Sequence, residues 1–185
     1  MPWLVKNLPI KPILLVRHPC AVVQSQMHMP LWDQAHRHPK FKIPVFRFDD
    51  SYKKHTDILN DIETVEENLA AHWCLNMVDT INHPANNRLW LTVAYESLYA
   101  NFNNEIKRLF NWIEQPIPDQ IDLLNRKPSE HTNPYSIEYI TKGNQLHLWK
   151  DTLSEDQIQR IMKIVRRFEI RGYTDDIMPN LAIVY

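Results

Sequence analysis

The sequence predicts an α/β fold, in which short buried strands alternate with amphipathic helices. Two apolar runs, Ile13–Val16 and Leu89–Ala94, are each followed by a segment of helical character. The first run lies between Pro12 and Arg17, and four consecutive apolar residues of this kind are typical of a strand that is buried on both faces. A chain of 185 residues is expected to form a single domain, 1–185.

A helix is predicted to begin at Pro19, directly after the first strand. Proline suits the first helical turn, because its fixed φ angle is helical and its missing N–H would have no partner there. Val22, Val23 and Met27 continue this helix with an apolar side. Arg17 is therefore expected at the carboxyl end of a strand, which is the edge where open α/β sheets bind their ligands.

Three further helices are predicted from apolar spacing and from caps. Thr64–Ile81 and Asn101–Glu114 each carry an apolar stripe on one face, and Pro116 ends the second of them. Ser154 and Gln157 form a capping-box pattern ahead of the last long helix. The residues expected on the inner faces of these three helices are Val65, Leu69, Trp73 and Met77, then Phe102, Ile106, Leu109, Phe110 and Ile113, and finally Ile158, Ile161, Ile164, Val165 and Phe168.

Two segments show no long period. Pro30–Tyr52 is rich in proline, histidine and aromatic residues and is interpreted as an ordered loop, while Asp119–Asn125 is expected to form a short helix. His28, His36 and His38 lie close together in the sequence, but no cysteine or further histidine completes a tetrahedral set. Surface histidines are therefore expected here, and no metal.

Composition narrows the class of partner. The net charge of −1, with both signs spread along the chain, predicts no binding to nucleic acid, so an anionic ligand would need local cationic contacts. Cys20 and Cys74 do not make a disulfide framework and are expected to be small buried residues. No apolar run approaches the ~20 residues of a membrane span, and the N-terminus lacks a signal-peptide pattern. A cytoplasmic protein is expected.

Arg17, Pro19 and Ser25 form the most informative pattern of the chain. A guanidinium can donate two parallel hydrogen bonds to phosphate oxygens, and a serine hydroxyl on the next helix can add another. The stretch 12–25 resembles the 3′-phosphate-binding segment of PAPS-dependent sulfotransferases, where PAPS is 3′-phosphoadenosine 5′-phosphosulfate. His18 and Ala21 depart from that pattern, since the family commonly has Asn or Asp at the first position and Asp at the second.

Two later segments extend this resemblance over nearly all of residues 11–173. Leu89–Leu98 resembles the second family signature, an apolar strand that ends in Tyr-Glu-Asp-Leu. Thr141–Leu153 resembles the Arg-Lys-Gly…Trp-Lys loop of the family, with Thr141 where arginine is usual. A Gly-Tyr pair after the last helix, here Gly172-Tyr173, is also common in the family.

The resemblance implies a P-loop-NTPase-like parallel sheet with flanking helices. It also implies a transferase that passes a sulfuryl group from PAPS, as co-substrate, to a hydroxyl or amine of an acceptor, without a metal. The acceptor stays open among glycans, lipids and small metabolites. The residues implied to bind the nucleotide are Arg17, Ser25, Tyr95, Thr141, Lys142 and Gly143.

Part of the family pattern is missing from this sequence. The family opens with a glycine-containing loop that wraps the 5′-phosphosulfate, whereas this chain has only Gly143 and Gly172. The family's general base, which lies upstream of the Arg17 strand, is also not found. We therefore expect a domain that is truncated at its N-terminus, and no catalytic residue is assigned. The alternative is a catalytically inactive sulfotransferase remnant that needs a missing N-terminal segment to bind PAPS and to fold fully.

Overall fold

The structure is a computed structural model that describes residues 1–28, 38–42, 50–121 and 145–184. It has a mixed α/β architecture, in which helices surround a small parallel sheet. In chain order, the elements are α1 (Pro2–Asn7), β1 (Ile13–Val16), α2 (Pro19–His28), α3 (Asp50–Lys54), α4 (Thr56–Asn60), α5 (Val65–Ile81), β2 (Leu91–Ala94), α6 (Tyr95–Ala100), α7 (Phe102–Ile113), α8 (Leu148–Thr152), α9 (Glu155–Arg167) and α10 (Leu181–Val184).

The two strands run parallel and in register, with Ile13 beside Leu91 and Val16 beside Ala94. Successive side chains of a strand point to opposite faces, so Leu14 and Val16 belong to one face of the sheet and Ile13 and Leu15 to the other. Within the described residues, β1 pairs with no strand other than β2. Both strands therefore end at the same edge of the sheet, where their carboxyl ends meet.

The main hydrophobic core lies on the Leu14 and Val16 face of the sheet. Helices α2, α5 and α9 pack against one another there, and α8 packs against α2. The side chains that are at most 1% exposed in this core include Val16, Cys20, Val23, Leu69, Cys74, Trp149, Ile161, Met162 and Val165. The predicted inner face of the last long helix is confirmed, because Ile161, Ile164, Val165 and Phe168 are buried and Ile158 packs against the core while partly buried.

The three long helices predicted after α2 and the cap predicted at Ser154 are confirmed, with small shifts at the helix ends, and a capping box that was not predicted is found at Thr64. Helix α5 begins after Thr64, whose hydroxyl accepts a hydrogen bond from the Glu67 N–H while the Glu67 carboxylate accepts one from the Thr64 N–H. Ser154 and Gln157 form the same reciprocal capping box at the start of α9. The apolar residues of α7 lie on one side as predicted, but each is only partly buried.

Several other predictions can be placed on the structure. Cys20 and Cys74 are buried free thiols, as expected. Most of the Pro30–Tyr52 loop and most of the short helix predicted over Asp119–Asn125 lie outside the described residues. In the described part of the chain, no helix has the length and apolar character needed to cross a membrane.

Candidate anion-binding site

The candidate site lies where β1 and β2 end. Arg17 follows the last residue of β1, and Tyr95 follows the last residue of β2. Because Val16 and Ala94 are register partners, Arg17 and Tyr95 leave the sheet side by side. Tyr95 was expected as the end of the strand, whereas it is the first residue of α6, because the chain turns into a helix directly after Ala94. The structure therefore brings together two of the predicted site residues.

The Arg17 side chain lies over the ring of Tyr95. Its guanidinium carbon is 5.0 Å from the ring centroid, within the range of an attractive cation–π contact. The Nε atom of Arg17 is buried and has no hydrogen-bond partner among residues 1–28, 38–42, 50–121 and 145–184. Among the described residues, no carboxylate forms an ion pair with this guanidinium. A partly buried guanidinium that forms no ion pair within this part of the chain is suited to bind an anion.

A hydrogen bond from helix α5 fixes the backbone of Arg17. The indole Nε1 of Trp73 donates a hydrogen bond to the Arg17 carbonyl oxygen at 3.1 Å. Trp73 is 5% exposed and packs edge-on against the ring of Tyr173, at 5.6 Å between centroids. The buried indole therefore restrains the position from which the guanidinium projects.

Tyr95 connects the strand ends to the third family-like segment, 141–153. Its hydroxyl forms a hydrogen bond with the side chain of Gln145. Burial raises the pKa of Tyr95 above its ordinary value, although the nearby positive charge of Arg17 opposes this shift. The phenol is therefore neutral at physiological pH, and its ring faces the guanidinium as an uncharged surface.

His18 is a completely buried residue that joins three segments of the chain. Its ring stacks on Trp149, with centroids 4.6 Å apart and an angle of 9° between the planes. The Cys20 N–H donates to Nδ1 at 3.2 Å, so Nε2 carries the proton and donates to the Thr174 carbonyl oxygen at 2.9 Å. Burial lowers the pKa of His18 to about 4, and the positive charges of Lys150 and Arg17 act in the same direction. His18 is thus a neutral structural residue at physiological pH.

The turn at Gly172 places Tyr173 against His18 and completes an aromatic cluster of His18, Trp149 and Tyr173. Gly172 has a φ angle of +92°, a region that disfavours residues with a Cβ atom. A Cβ at this position would also lie 2.6 Å from Cγ2 of Val184. The next residue, Tyr173, makes an edge-on contact with His18 at 5.6 Å between ring centroids. Glycine is therefore required for the turn that closes the aromatic cluster.

Two charged residues of the family-like motifs, Glu96 and Lys150, contact this cluster but are not among the predicted site residues. The carboxylate of Glu96, which is 2% exposed, accepts a hydrogen bond from the His18 N–H at 2.8 Å. Burial raises the pKa of Glu96, and the Arg17 charge is among the smaller effects that oppose the shift. Lys150 lies with its Nζ atom 5.6 Å from the Trp149 ring centroid and adds a second cation near the cluster.

Cys20 lies in the first turn of α2, close to the same cluster. Burial raises the pKa of its thiol to about 12, and the negative charge of Asp175 adds to the effect. A thiol with such a pKa is almost completely protonated at physiological pH, and the thiolate is the nucleophilic form. Cys20 is therefore a packing residue and not a nucleophile.

Of the remaining predicted site residues, Ser25 is the one that lies in the described part of the chain. Ser25 lies in α2, about two turns after Pro19, and is partly buried. In the described part of the chain, no hydrogen bond joins Ser25 to Arg17. The three residues predicted in the closing loop, Thr141, Lys142 and Gly143, lie outside the described residues. Among residues 1–28, 38–42, 50–121 and 145–184, no group of three His, Cys, Asp or Glu side chains is arranged to hold a metal ion.

Comparisons with protein-family models, with curated proteins and with solved structures give no match to this chain. The class of protein therefore has to be argued from the site itself. The site is defined by a guanidinium that forms no ion pair within the described residues, at the carboxyl ends of two parallel strands, and by the buried rings of His18, Trp149 and Tyr173 beside it.

Proposed function

We propose that this chain is a sulfotransferase-type protein that binds the 3′-phosphate of PAPS with Arg17. The observation that carries the proposal is the Arg17 guanidinium, which stacks on Tyr95 at 5.0 Å and has no carboxylate partner in the described residues. A dianionic phosphate at this place would satisfy the guanidinium with two charge-assisted hydrogen bonds.

The contacts between the three family-like segments support the same proposal. Segment 12–25 contacts the second segment through Arg17 and Tyr95, and it contacts the third through His18 and Trp149. The second and third segments are joined by Tyr95 and Gln145. Residues that are far apart in the sequence thus meet at one edge of the sheet, which is the usual place for ligands in open α/β folds.

In this proposal, each residue of the site has a separate task. Arg17 holds the phosphate, Ser25 on α2 adds a hydroxyl donor, and Tyr95 keeps the guanidinium in place and borders the adenine. Lys142 and Gly143 would close over the same phosphate from the loop that follows. Bound PAPS supplies the sulfuryl group, which passes to a hydroxyl or amine of the acceptor. No residue of this chain is assigned to take the proton of the acceptor.

Titration calorimetry with adenosine 3′,5′-bisphosphate tests the proposal. Arg17→Ala should weaken binding by about 2–5 kcal/mol, since it removes one side of a desolvated charge pair. Arg88→Ala is the matched control, because Arg88 is exposed and the same charge is removed away from the sheet edge. If the unaltered chain does not bind the bisphosphate, or Arg17→Ala binds as tightly, the proposed site is wrong.

A second arm of the titration tests the 3′-phosphate itself. Adenosine 5′-monophosphate keeps the base and the 5′-phosphate but lacks the group that Arg17 is proposed to hold. It should bind more weakly than the bisphosphate, and Arg17→Ala should have little effect on it. Equal loss of affinity for both nucleotides in Arg17→Ala would instead place Arg17 at the 5′ side.

A second candidate function is favoured by the uncovered face of β1. Ile13 and Leu15 are 37% and 53% exposed, and in the described residues no further strand pairs with β1 on its outer edge. Parallel sheets are normally covered on both faces, and a two-stranded sheet is marginal. An inactive sulfotransferase remnant, whose sheet needs an added segment, would have these properties.

Turnover and stability separate the two candidates. The enzyme candidate transfers label from PAPS carrying a radioactive sulfuryl group to at least one member of a panel of hydroxyl and amine acceptors. The inactive candidate shows no transfer, and its isolated chain should unfold at low temperature in a broad transition. A sharp thermal transition of the monomeric chain would contradict the second candidate.

A further inference from the structure

Glu96 connects the ends of the two strands from inside the protein. It lies in the first turn of α6, directly after Tyr95, and its carboxylate is buried. Its Oε1 atom accepts a hydrogen bond from the backbone N–H of His18 at 2.8 Å, across a separation of 78 residues. Residues 95 and 96 thus contact residues 17 and 18 in two ways, by stacking under the guanidinium and by holding the adjacent backbone.

The second carboxylate oxygen of Glu96 has an unusual environment. Oε2 is buried and has no hydrogen-bond partner in the described part of the chain, and the same is true of Nε of Arg17. A buried carboxylate oxygen without a donor is costly when it is charged, because desolvation is not compensated by a hydrogen bond. Such a cost is tolerated where a charge has a task beyond packing, and the positive charge of Arg17 acts on the Glu96 carboxyl.

Two other titratable groups of the cluster, His18 and Tyr95, carry no charge near neutral pH. His18 is neutral at physiological pH, because burial lowers its pKa to about 4, and Tyr95 is neutral because burial raises its pKa. Lys150 acts on the cluster through the His18 ring, and Asp175 acts on it through the Cys20 thiol. Above the pKa of His18, the carboxyl of Glu96 is the one among these groups that changes charge beside Arg17 as the pH rises toward neutral.

We propose that Glu96 is the positioning residue of the Arg17 anion site, and that its negative charge weakens anion binding as the pH rises. This inference rests on the proposed function, since it concerns the same guanidinium. In the neutral form, the carboxyl still accepts the His18 hydrogen bond while the site keeps the full positive charge of Arg17. In the ionised form, the carboxylate repels the anion that Arg17 would hold.

The direction of the pH effect follows from the protonation state of the Glu96 carboxyl. Burial raises the pKa of Glu96, so its carboxyl becomes ionised at a higher pH than an exposed glutamate does. Anion affinity should therefore fall as the pH rises through this range. The phosphate groups of the ligand also titrate there, with a second pKa of about 6, so the comparison must use two proteins at each pH.

Glu96→Gln and Glu96→Ala separate the two parts of the inference. Glutamine keeps an oxygen that accepts from His18 and removes the charge, whereas alanine removes both. At pH 8, Glu96→Gln should bind adenosine 3′,5′-bisphosphate about 10-fold more tightly than the unaltered chain, as expected for a charge several ångströms away in a partly buried site. The ratio of the two affinities should approach one at pH 4.

Glu96→Ala has the same charge as Glu96→Gln, so their difference reports positioning alone. Alanine should bind the bisphosphate at least several-fold more weakly than glutamine at each pH, because the strand ends are no longer joined. Glu155→Gln is the matched control, since Glu155 is exposed at the start of α9, and its affinity should equal that of the unaltered chain. If Glu96→Ala fails to fold, Glu96→Asp replaces it, because its shorter side chain keeps the charge but cannot reach the His18 N–H.

The outcomes distinguish this inference from the proposed function. If the unaltered chain binds no bisphosphate at any pH, the proposed function is wrong and this inference with it. If it binds, and Glu96→Gln has the same affinity at pH 8, only the effect of the Glu96 charge is overturned. If Glu96→Ala binds as well as Glu96→Gln, or Glu96→Asp binds as well as the unaltered chain, the positioning role is overturned.

Discussion

The two faces of strand β1 are buried to very different degrees. On one face, Val16 is fully buried beneath α2, α5 and α9, and large side chains such as Trp149 and Ile161 are at most 1% exposed. On the other face, Ile13 and Leu15 of β1 are 37% and 53% exposed. The same strand therefore contributes one tightly packed side and one side that is largely open.

The difference shows that an apolar pattern predicts which face of a strand or helix is apolar, but not whether another element packs on that face. Helix α7 has a clear apolar stripe, and residues on its other side, such as Lys107 and Asn111, are exposed as the pattern predicts. The buried residue of this helix is nevertheless Glu105, which accepts a hydrogen bond from Ser97 at 3.1 Å and pairs with Arg108. Packing thus depends on which neighbouring segments are present, and not only on the helix itself.

The candidate site is supported by the packed side. Arg17 projects from the sheet edge, while Trp73, His18 and Trp149 hold its backbone from the helical core. The anion site should therefore be preorganised even though the opposite face of β1 is open. Three measurements test this contrast between the two sides.

The largest expected effect is the loss of Trp149 from the packed side. Trp149→Ala should reduce the free energy of unfolding by about 3–5 kcal/mol, because it leaves a large cavity and removes the stack under His18. Trp3→Ala is the control, since Trp3 is 67% exposed, and it should change stability by less than about 0.5 kcal/mol. Urea unfolding followed by circular dichroism measures both, and equal losses would remove the contrast.

A second comparison uses the same chemical change on the two sides. Ile161→Ala in α9 should cost about 2–5 kcal/mol, because Ile161 is completely buried among helices. Ile106→Ala in α7 removes the same atoms from a partly buried position and should cost less than half as much. If the two variants unfold at the same urea concentration, α7 is covered as tightly as α9, contrary to the structure.

The third effect is the pH dependence that His18 brings to the packed side, and it is the smallest of the three over any one pH unit, at most about 1.4 kcal/mol. Its pKa is about 4 in the folded chain and 6.5 in the ordinary state, so the unfolded chain binds the extra proton between these values. The free energy of unfolding should therefore rise with pH across this window, by about 3 kcal/mol in total. Below pH 4 both states are protonated and the slope from His18 ends.

His18→Gln checks the assignment of this slope. Urea titrations at pH 4, 5, 6 and 7 should show a shallower rise for His18→Gln than for the unaltered chain, because no buried ring titrates. His28→Gln is the matched control, since His28 is exposed at the end of α2, and its slope should be unchanged. An unchanged slope in His18→Gln would mean that His18 is accessible to solvent.

Much of the local structure could be predicted from residue patterns. The strand at 13–16, the helix that begins at Pro19 and the capping boxes of Thr64 and Ser154 depend on contacts within a few residues. The placement of Arg17 at a strand end follows from the same local signals. For these features, nearby sequence contains nearly all of the physical information.

The supporting contacts of the site could not be predicted in the same way. His18 was visible as a departure from the family pattern, yet its stacking on Trp149 joins residues whose proximity depends on how α2 and α8 pack. The burial of Glu96 beneath the β1 end has the same origin. The shift of Tyr95 from the strand into α6 is a boundary effect that the apolar run alone does not mark.

By itself, the sequence determined where the chain forms strands and helices, which sides of them are apolar, and that an arginine follows the first strand. Those properties arise from backbone preferences and side-chain periodicity, which act over a few residues. Only the tertiary structure decided that Arg17 lies on Tyr95, that Glu96 holds His18, and that one face of β1 is open. These outcomes depend on segments far apart in the sequence competing for the same space, which no local pattern records.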